Sequence, residues 1–514
     1  MVLGSLESLP PEIISKVFSF ADTPTLAKAR HLSHYLEPFA AEWLFQEIDL
    51  RTNGTDLECQ RFINIAQSTK LNRHVRSVVC TADVTESLPF YPNVDGNNED
   101  NFRTMDKVSL EIVVGAVHIL PFLAHFRNLT TLELFFFEHP MLRFDEPDPG
   151  ISVDVIDFRS GVIETILESL AGTWSPERQT KIDKTLELIT EGKYRASRRV
   201  APETGLIRLK SLSIWDFNTR LHPRVAKSKA YEAVVGSGNI VDFSLINTTT
   251  TTRNIRAGPF YFKKELEFFE QMPRVWFIAP MAENLQTLQL DFPDDWGWHP
   301  KVNLETITPA LPSLRELTLS SFVFSHERQA QWIASLGKQN VSGGLEVLML
   351  FGCKILYRAQ YLGQLDYRES GAGYPTLENM SRLIDEGETD FGLFFHLRWY
   401  AVLDRLRESM PALTSFQLND FSDEDDATTR RNRKRGRGFL DYADFHHMCW
   451  PLYDFTPNKR VPLAGGQDPD YHTERDPERP DVGRCQAKDE EAAELLFSAV
   501  RSRKLSLEEG RNKT

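Results

Sequence analysis

The sequence predicts an α/β chain: a small helical unit at the N-terminus followed by an irregular solenoid of strand–helix units. Three observations carry this. Residues 6–50 hold apolar residues at helical spacing between Pro-containing starts and stops. Six later segments share one short apolar pattern with the spacing of a strand. Helical patterns precede several of those strands.

The N-terminal elements come first. Ser8 is placed to cap a first helix, and Pro10 and Pro11 suit its opening turn, where a missing N–H costs nothing. Ile13 and Val17 are four apart, as are Ile14 and Phe18, so this helix has a wide apolar face. Thr23 and Pro24 repeat the cap-then-Pro signature, and Leu26, Ala29, Leu32 and Leu36 follow at helical spacing. Pro38 ends that helix and opens a third, bringing Phe39, Trp43 and Leu44 to one side. By spacing alone the segment reads equally as a three-helix lid on a larger domain or as a docking module with more apolar surface than it can bury.

The repeated pattern is L-x-x-L-x-L or nearly so: Leu129-Leu132-Leu134, Leu209-Leu212-Ile214, Leu285-Leu288-Leu290, Leu314-Leu317-Leu319, Leu345-Leu348-Leu350 and Leu413-Phe416-Leu418. Val75, Val78 and Cys80 form a weaker earlier copy. Two spacings, 29 (314 − 285) and 31 (345 − 314), sit near the upper end of the leucine-rich-repeat period. The central pair is a short strand with both apolar residues on one face, and the leucine three earlier turns the chain into it. The strands are expected to be parallel, with Leu288, Leu317 and Leu348 in register, and likewise Leu290, Leu319 and Leu350.

Eight residues after the first leucine such repeats carry Asn or Cys. In five of the six copies the position holds Phe137, Phe217, Phe322, Cys353 and Phe421, which points to a spine packed by rings. Leu110, Val114, Val117 and Phe122 predict a helix ahead of one strand. Trp332, Ile333 and Leu336 predict another, and Leu403, Leu406 and Met410 a third.

Insertions interrupt the pattern at 88–101, 141–155 and 247–252. Asp423-Glu424-Asp425-Asp426 runs into a basic stretch, Arg430 to Arg437, which reads as a solvated charged loop or as a nuclear localisation signal. Residues 463–485 are rich in Pro, Gly and charge and read as mobile. A terminal helix is expected over 487–504 with Leu495, Leu496 and Val500 inward.

Composition narrows the function. A formal charge of −14 disfavours nucleic-acid and anionic-membrane binding. Five scattered cysteines without a CxxC pair fit a reducing compartment, not a disulfide framework or a zinc site. No basic-then-apolar signal opens the sequence, and its most apolar run, 112–124, is shorter than a membrane span. Nucleotide-binding, nucleophile-elbow and zinc-protease motifs are absent. Asp444, His446, His447 and Cys449 form the densest group of ligand types, but Phe445 and Trp450 beside them read as packing. No metal, cofactor or catalytic residue is expected.

The residues Leu9, Pro10, Pro11, Glu12, Ile13, Ile14, Val17, Phe18, Ser19, Phe20, Asp22, Leu26, Arg30, Leu32 and Ser33, in this order and spacing, resemble an F-box, the adaptor-binding module of SCF-type ubiquitin ligases. Ala21, His31 and Leu36 depart from the family pattern, where Leu, an apolar residue and an aromatic are usual. The resemblance covers roughly forty residues, a normal F-box size. It implies a chain of fungal type, an N-terminal helical F-box followed by an irregular leucine-rich-repeat-like solenoid. On this reading the F-box occupies 1–50, the α/β body with its insertions 51–440, and a C-terminal extension 441–514. The resemblance further implies a Skp-family adaptor, and through it a cullin, as partners. The adaptor is expected to contact Leu9, Pro10, Ile13, Ile14, Val17, Phe18 and Leu26, with Leu9, Pro10, Ile13, Val17 and Phe18 on an exposed apolar face.

Two function classes follow. One is a substrate-recognition subunit of an SCF-type ubiquitin ligase, cytoplasmic or nuclear, working by proximity and not itself an enzyme. The other is an α/β enzyme of unfamiliar type carrying an F-box; a scaffold that binds the adaptor without directing ubiquitylation is a third option. For a receptor, the strand face of the body is the expected substrate surface, with Glu133, Ser213, Gln289, Thr318, Met349 and Gln417 between the leucines. In the segment DFPDDWGWHP, Trp296, Trp298, Asp294 and Asp295 are the candidate substrate contacts, read as an exposed loop or, equally, as rings folded back as a plug. Their acidity favours a basic target segment over a phosphorylated one.

Overall fold

The computed structural model describes residues 6–52, 56–82, 118–136, 151–189, 205–217, 221, 223–247, 263–297, 302–307, 310–356, 358–362, 390–394, 397–419, 453–454 and 482–511. The chain forms two compact units, Met1–Phe217 with Leu221–Ile240, and Asn218–Arg220 with Val241–Thr514. Each is α/β with parallel strands.

The first unit begins with α1 (Pro11–Phe18), α2 (Thr23–Leu32) and α3 (Glu37–Leu44). Two cap assignments differ from expectation. Pro10 occupies the N-cap of α1, while Ser8 closes a short 3-10 turn, Leu6–Ser8. Asp22, not Thr23, caps α2, its carboxylate accepting from the Thr25 amide at 2.9 Å. A carboxylate with two acceptor oxygens out-competes a hydroxyl at this position. Strands β1 (Glu47–Arg51), β2 (Ser77–Ala82), β3 (Thr131–Phe136) and β4 (Ser211–Trp215) then pair in chain order, all parallel. The turn before β3 is a 3-10 helix, Leu120–His125, with Phe122 buried; Leu110, Val114 and Val117 lie outside the described residues.

The second unit holds β5 (Asp242–Ile246), β6 (Thr287–Trp296), β7 (Glu316–Phe324) and β8 (Val347–Phe351), again parallel and in chain order. A short β9 (Lys354–Ile355) pairs with the far end of β7. Strands β10 (358–362) and β11 (390–394) pair antiparallel, apart from this array. β12 (Ser415–Asn419) returns to pair with β8. The expected helices before β8 and β12 are present, Glu327–Ser335 and Trp399–Ser409, with Trp332, Ile333, Leu403 and Leu406 buried. The terminal helix is longer than expected, Val482–Arg511. It buries Leu496 and Val500 but leaves Leu495 exposed, one residue off the inward stripe.

The expected register holds. Leu288 pairs with Leu317 and Leu317 with Leu348; Leu290, Leu319 and Leu350 align in the same way. The repeat also extends further than the leucines alone indicate. Phe45-Ile48-Leu50 on β1 and Ile240-Phe243-Leu245 on β5 carry the same spacing with other apolar residues. Across nine strands and three positions each, all 27 (9 × 3) of these side chains are buried, none more than 8 % exposed.

The backbone repeats as well. The carbonyl after the first motif residue accepts two amides from the start of the next strand. Gln46 receives Arg76 and Ser77; Val241 receives Gln286 and Thr287; Arg315 receives Glu346 and Val347, all at 2.8–3.0 Å. Four residues past the first strand leucine, Asp216, Ser321 and Gly352 all turn left-handed, with φ of 56°, 51° and 56°. This turn drops the next side chain, Phe217, Phe322 or Cys353, into the core. Where this position is Phe it packs on other rings, Phe217 5.7 Å from Phe136, whereas Cys353 donates to the Leu319 carbonyl. In the second unit Trp296, Phe322, Phe324 and Trp399 form a chain with centroids 4.8, 5.0 and 5.8 Å apart. Phe137 and Phe421 lie outside the described residues.

The sequence-based boundary at residue 50 falls inside β1, and the division into two units falls within 51–440. The reason is local: α3 runs into β1 through only Phe45 and Gln46.

Candidate functional site

The three N-terminal helices close around a small core of their own: Ile14, Phe18, Leu26, Ala29, Leu36 and Ala40, with Leu6, Ala21, Phe39, Trp43 and Leu44 packed against it. The Trp43 indole donates to Ser15 Oγ at 3.1 Å, fixing α3 to α1. Arg30 reaches from α2 to Glu37 at 3.7 Å, and its guanidinium lies 5.2 Å from the Phe45 ring centroid, at the start of the first strand motif.

This packing consumes only part of the apolar surface of α1. Ile14 and Phe18 are 0 % and 4 % exposed, whereas Leu9, Ile13 and Val17 are 36 %, 48 % and 44 % exposed. Successive residues on a helix stand about 100° apart, so the Ile13–Val17 line sits beside the Ile14–Phe18 line and outside the core. Phe20, just past α1, is also exposed, with the Lys16 ammonium 4.9 Å from its ring centroid. Leu32 and Tyr35 add exposed apolar surface at the end of α2. Leaving such residues at one face in water is unfavourable unless something covers them.

Of the seven residues expected to touch an adaptor, the geometry therefore keeps four at the surface: Leu9, Pro10, Ile13 and Val17. Ile14, Phe18 and Leu26 are corrected to core positions, because two-sided helix packing draws them inward. Phe18 in particular is not on the exposed face. Phe20, in the turn just past α1, is exposed instead. His31 on α2 and His34 just past its end are both exposed.

At the second candidate, Trp296 takes the plug alternative and not the exposed one. Trp296 is 0 % exposed. Its segment is a continuation of β6 past a register shift, not a Pro/Gly/Asp loop, and Trp296 pairs opposite Phe322. The indole N–H donates to the Ser320 carbonyl at 2.6 Å, and Phe269, Phe292 and Phe322 enclose the ring. Gly297 follows with φ 104°, and a Cβ there would stand 2.6 Å from Phe322 Cε2. A buried ring with its N–H satisfied is a plug. Asp294 and Asp295 lie in the strand; Trp298 lies outside the described residues.

The between-leucine residues do share one face. Glu133 aligns with Ser213 in the first unit; Gln289, Thr318, Met349 and Gln417 align in the second. Ser213 is buried and the others are half-buried. Burial pushes the Cys80 thiol up to about 12, so it is inert as a nucleophile at neutral pH. Among the described residues no group of three or more His, Cys, Asp or Glu is placed to hold a metal ion, and no helix is long and apolar enough to cross a membrane. The cluster Asp444, His446, His447 and Cys449 and the basic run Arg430 to Arg437 lie outside the described residues.

No protein-family model and no curated protein matches this chain.

Proposed function

We propose that the chain is the substrate-recognition subunit of an SCF-type ubiquitin ligase. On this reading residues 1–50 are an F-box that docks a Skp-family adaptor, and through it a cullin. The parallel strand array is an irregular leucine-rich-repeat-like solenoid that holds a protein target.

The observation that carries this is the second apolar stripe of α1. The F-box-like sequence folds with Ile14 and Phe18 spent on its own core while Leu9, Ile13 and Val17 stay exposed. A short helical unit with a finished core and a leftover apolar face is built to dock. The two-residue connection from α3 to β1 supports the mechanism, since a stiff join holds target and ligase at a set distance. The in-register motif residues support the solenoid reading of the body.

The test is co-purification of adaptor and cullin with the full chain. Wild type should recover both. Leu9→Ala with Pro10→Ala should lose both while its circular dichroism and melting temperature stay near wild type. Unchanged adaptor recovery by that folded double variant refutes the F-box assignment.

A further inference from the structure

The last strand–helix pair of the second unit is incomplete in its own sequence. Helix Trp399–Ser409 starts at Arg398, which makes no side-chain cap. Its leading amides and trailing carbonyls need partners from elsewhere.

Both ends are served by the terminal helix. Asp489 Oδ1 accepts the Tyr400 amide at 2.7 Å, across 89 residues of sequence. Arg503 donates to the Met410 carbonyl at 2.9 Å and to the Arg407 carbonyl at 2.8 Å. A carboxylate thus meets the positive end of the helix dipole and a guanidinium the negative end. Asp489 stands at the start of the short helix and Arg503 at its end, so the two helices run in the same direction. Between these bonds Leu496 and Val500 are buried and Phe497 lies 5.4 Å from the Phe416 ring on β12; just before them the Lys488 ammonium lies 5.7 Å from the Tyr400 ring centroid. Arg407 is held by Asp404 at 2.9 Å and Glu408 at 3.6 Å, which offsets the charge of Arg503 beside it.

We infer that Val482–Arg511 is a strap: it closes the C-terminal end of the strand array by clamping helix Trp399–Ser409 at both ends. The strap, that helix and β12 open together as one cooperative unit, separately from β5–β8. Parallel arrays expose their last apolar layer unless something caps it, and here the cap is returned from a distant stretch of chain instead of the next repeat.

Hydrogen exchange on the full chain tests this. Asp489→Lys with Arg503→Glu places like charge at both helix ends. At least a tenfold faster exchange is expected in 399–419 and 482–511, with β6 and β7 unchanged. Arg503→Gln removes only the two carbonyl bonds and should produce a smaller rise in the same segments; it decides the matter if the double variant fails to fold. Unchanged exchange in 399–419 refutes the strap. An equal rise through β6 and β7 refutes its independence.

Discussion

At the level of single residues, α1 separates two roles that adjacent isoleucines could not reveal by type. Ile14 is fully buried and Ile13 is half exposed. Ile14→Ala should cost about 2–5 kcal/mol in denaturant unfolding, the range for a large-to-small change in a core. Ile13→Ala should cost well under that and act on adaptor binding instead. Equal losses of stability from both would contradict the two-sided reading of α1. The left-handed turn after the strands is a second residue-level feature. Gly352→Ala should destabilise by about 1–2 kcal/mol, the cost of a Cβ in that conformation, whereas Asp216 and Ser321 already bear it. Trp296→Ala should destabilise by about 3–5 kcal/mol, as for other buried aromatics. A stable Trp296→Ala protein with altered target capture would restore it as a contact residue.

At the level of elements, leucine was a partial guide to the repeat. Five strands (β3, β4, β6, β7 and β8) were legible from leucine and isoleucine, β12 with one Phe, and β2 as a weak copy. β1 and β5 were missed because Phe45, Ile48, Ile240 and Phe243 fill the same positions. The packing demands apolar volume at fixed spacing, not leucine as such. The segment after Leu290 misled for the opposite reason. Its prolines and aspartates read as a loop, yet the ring chain draws Trp296 in and stretches β6. The strap was legible as a helix, but nothing in its sequence marks Tyr400 or Arg407 as partners.

The strap also predicts a pH response. Burial pushes the Asp489 carboxyl up to about 6 from an ordinary 3.8; Glu490 pushes it the same way, while the Tyr400 amide and Arg398 pull it back. Lys488 is the other cation at this contact. The docked state then binds the proton more tightly than the free helix. This proton-linked part of the stabilisation is full below pH 3.8 and is lost as pH rises through about 6, while the Tyr400 bond to the carboxylate and the Arg503 bonds remain. Protection of 482–511, corrected for intrinsic exchange rates, should be higher at pH 5 than at pH 7.5, and Asp489→Asn should remove the difference. Protection that rises with pH would contradict this.

For the molecule as a whole, the α/β class and the parallel order were legible in the sequence, while the division into two units was not. Insertions at 88–101, 141–155 and 247–252 interrupt the apolar pattern without marking a boundary, and the units divide near 217–241, between two copies of the motif. The proposed docking surface rests on the F-box resemblance together with the exposure of Leu9, Ile13 and Val17. Charge, cysteine spacing and missing motifs narrowed the classes without choosing a partner. The function proposed for the chain depends on the proposed docking of a Skp-family adaptor on the outer stripe of α1. The most direct measurement is a calorimetric titration of the purified full chain with purified adaptor, for wild type and for Ile13→Asp with Val17→Asp. Saturable one-to-one binding by wild type, weakened at least a hundredfold by the folded double variant, is the predicted result. No binding by wild type, or equal binding by both, would contradict it.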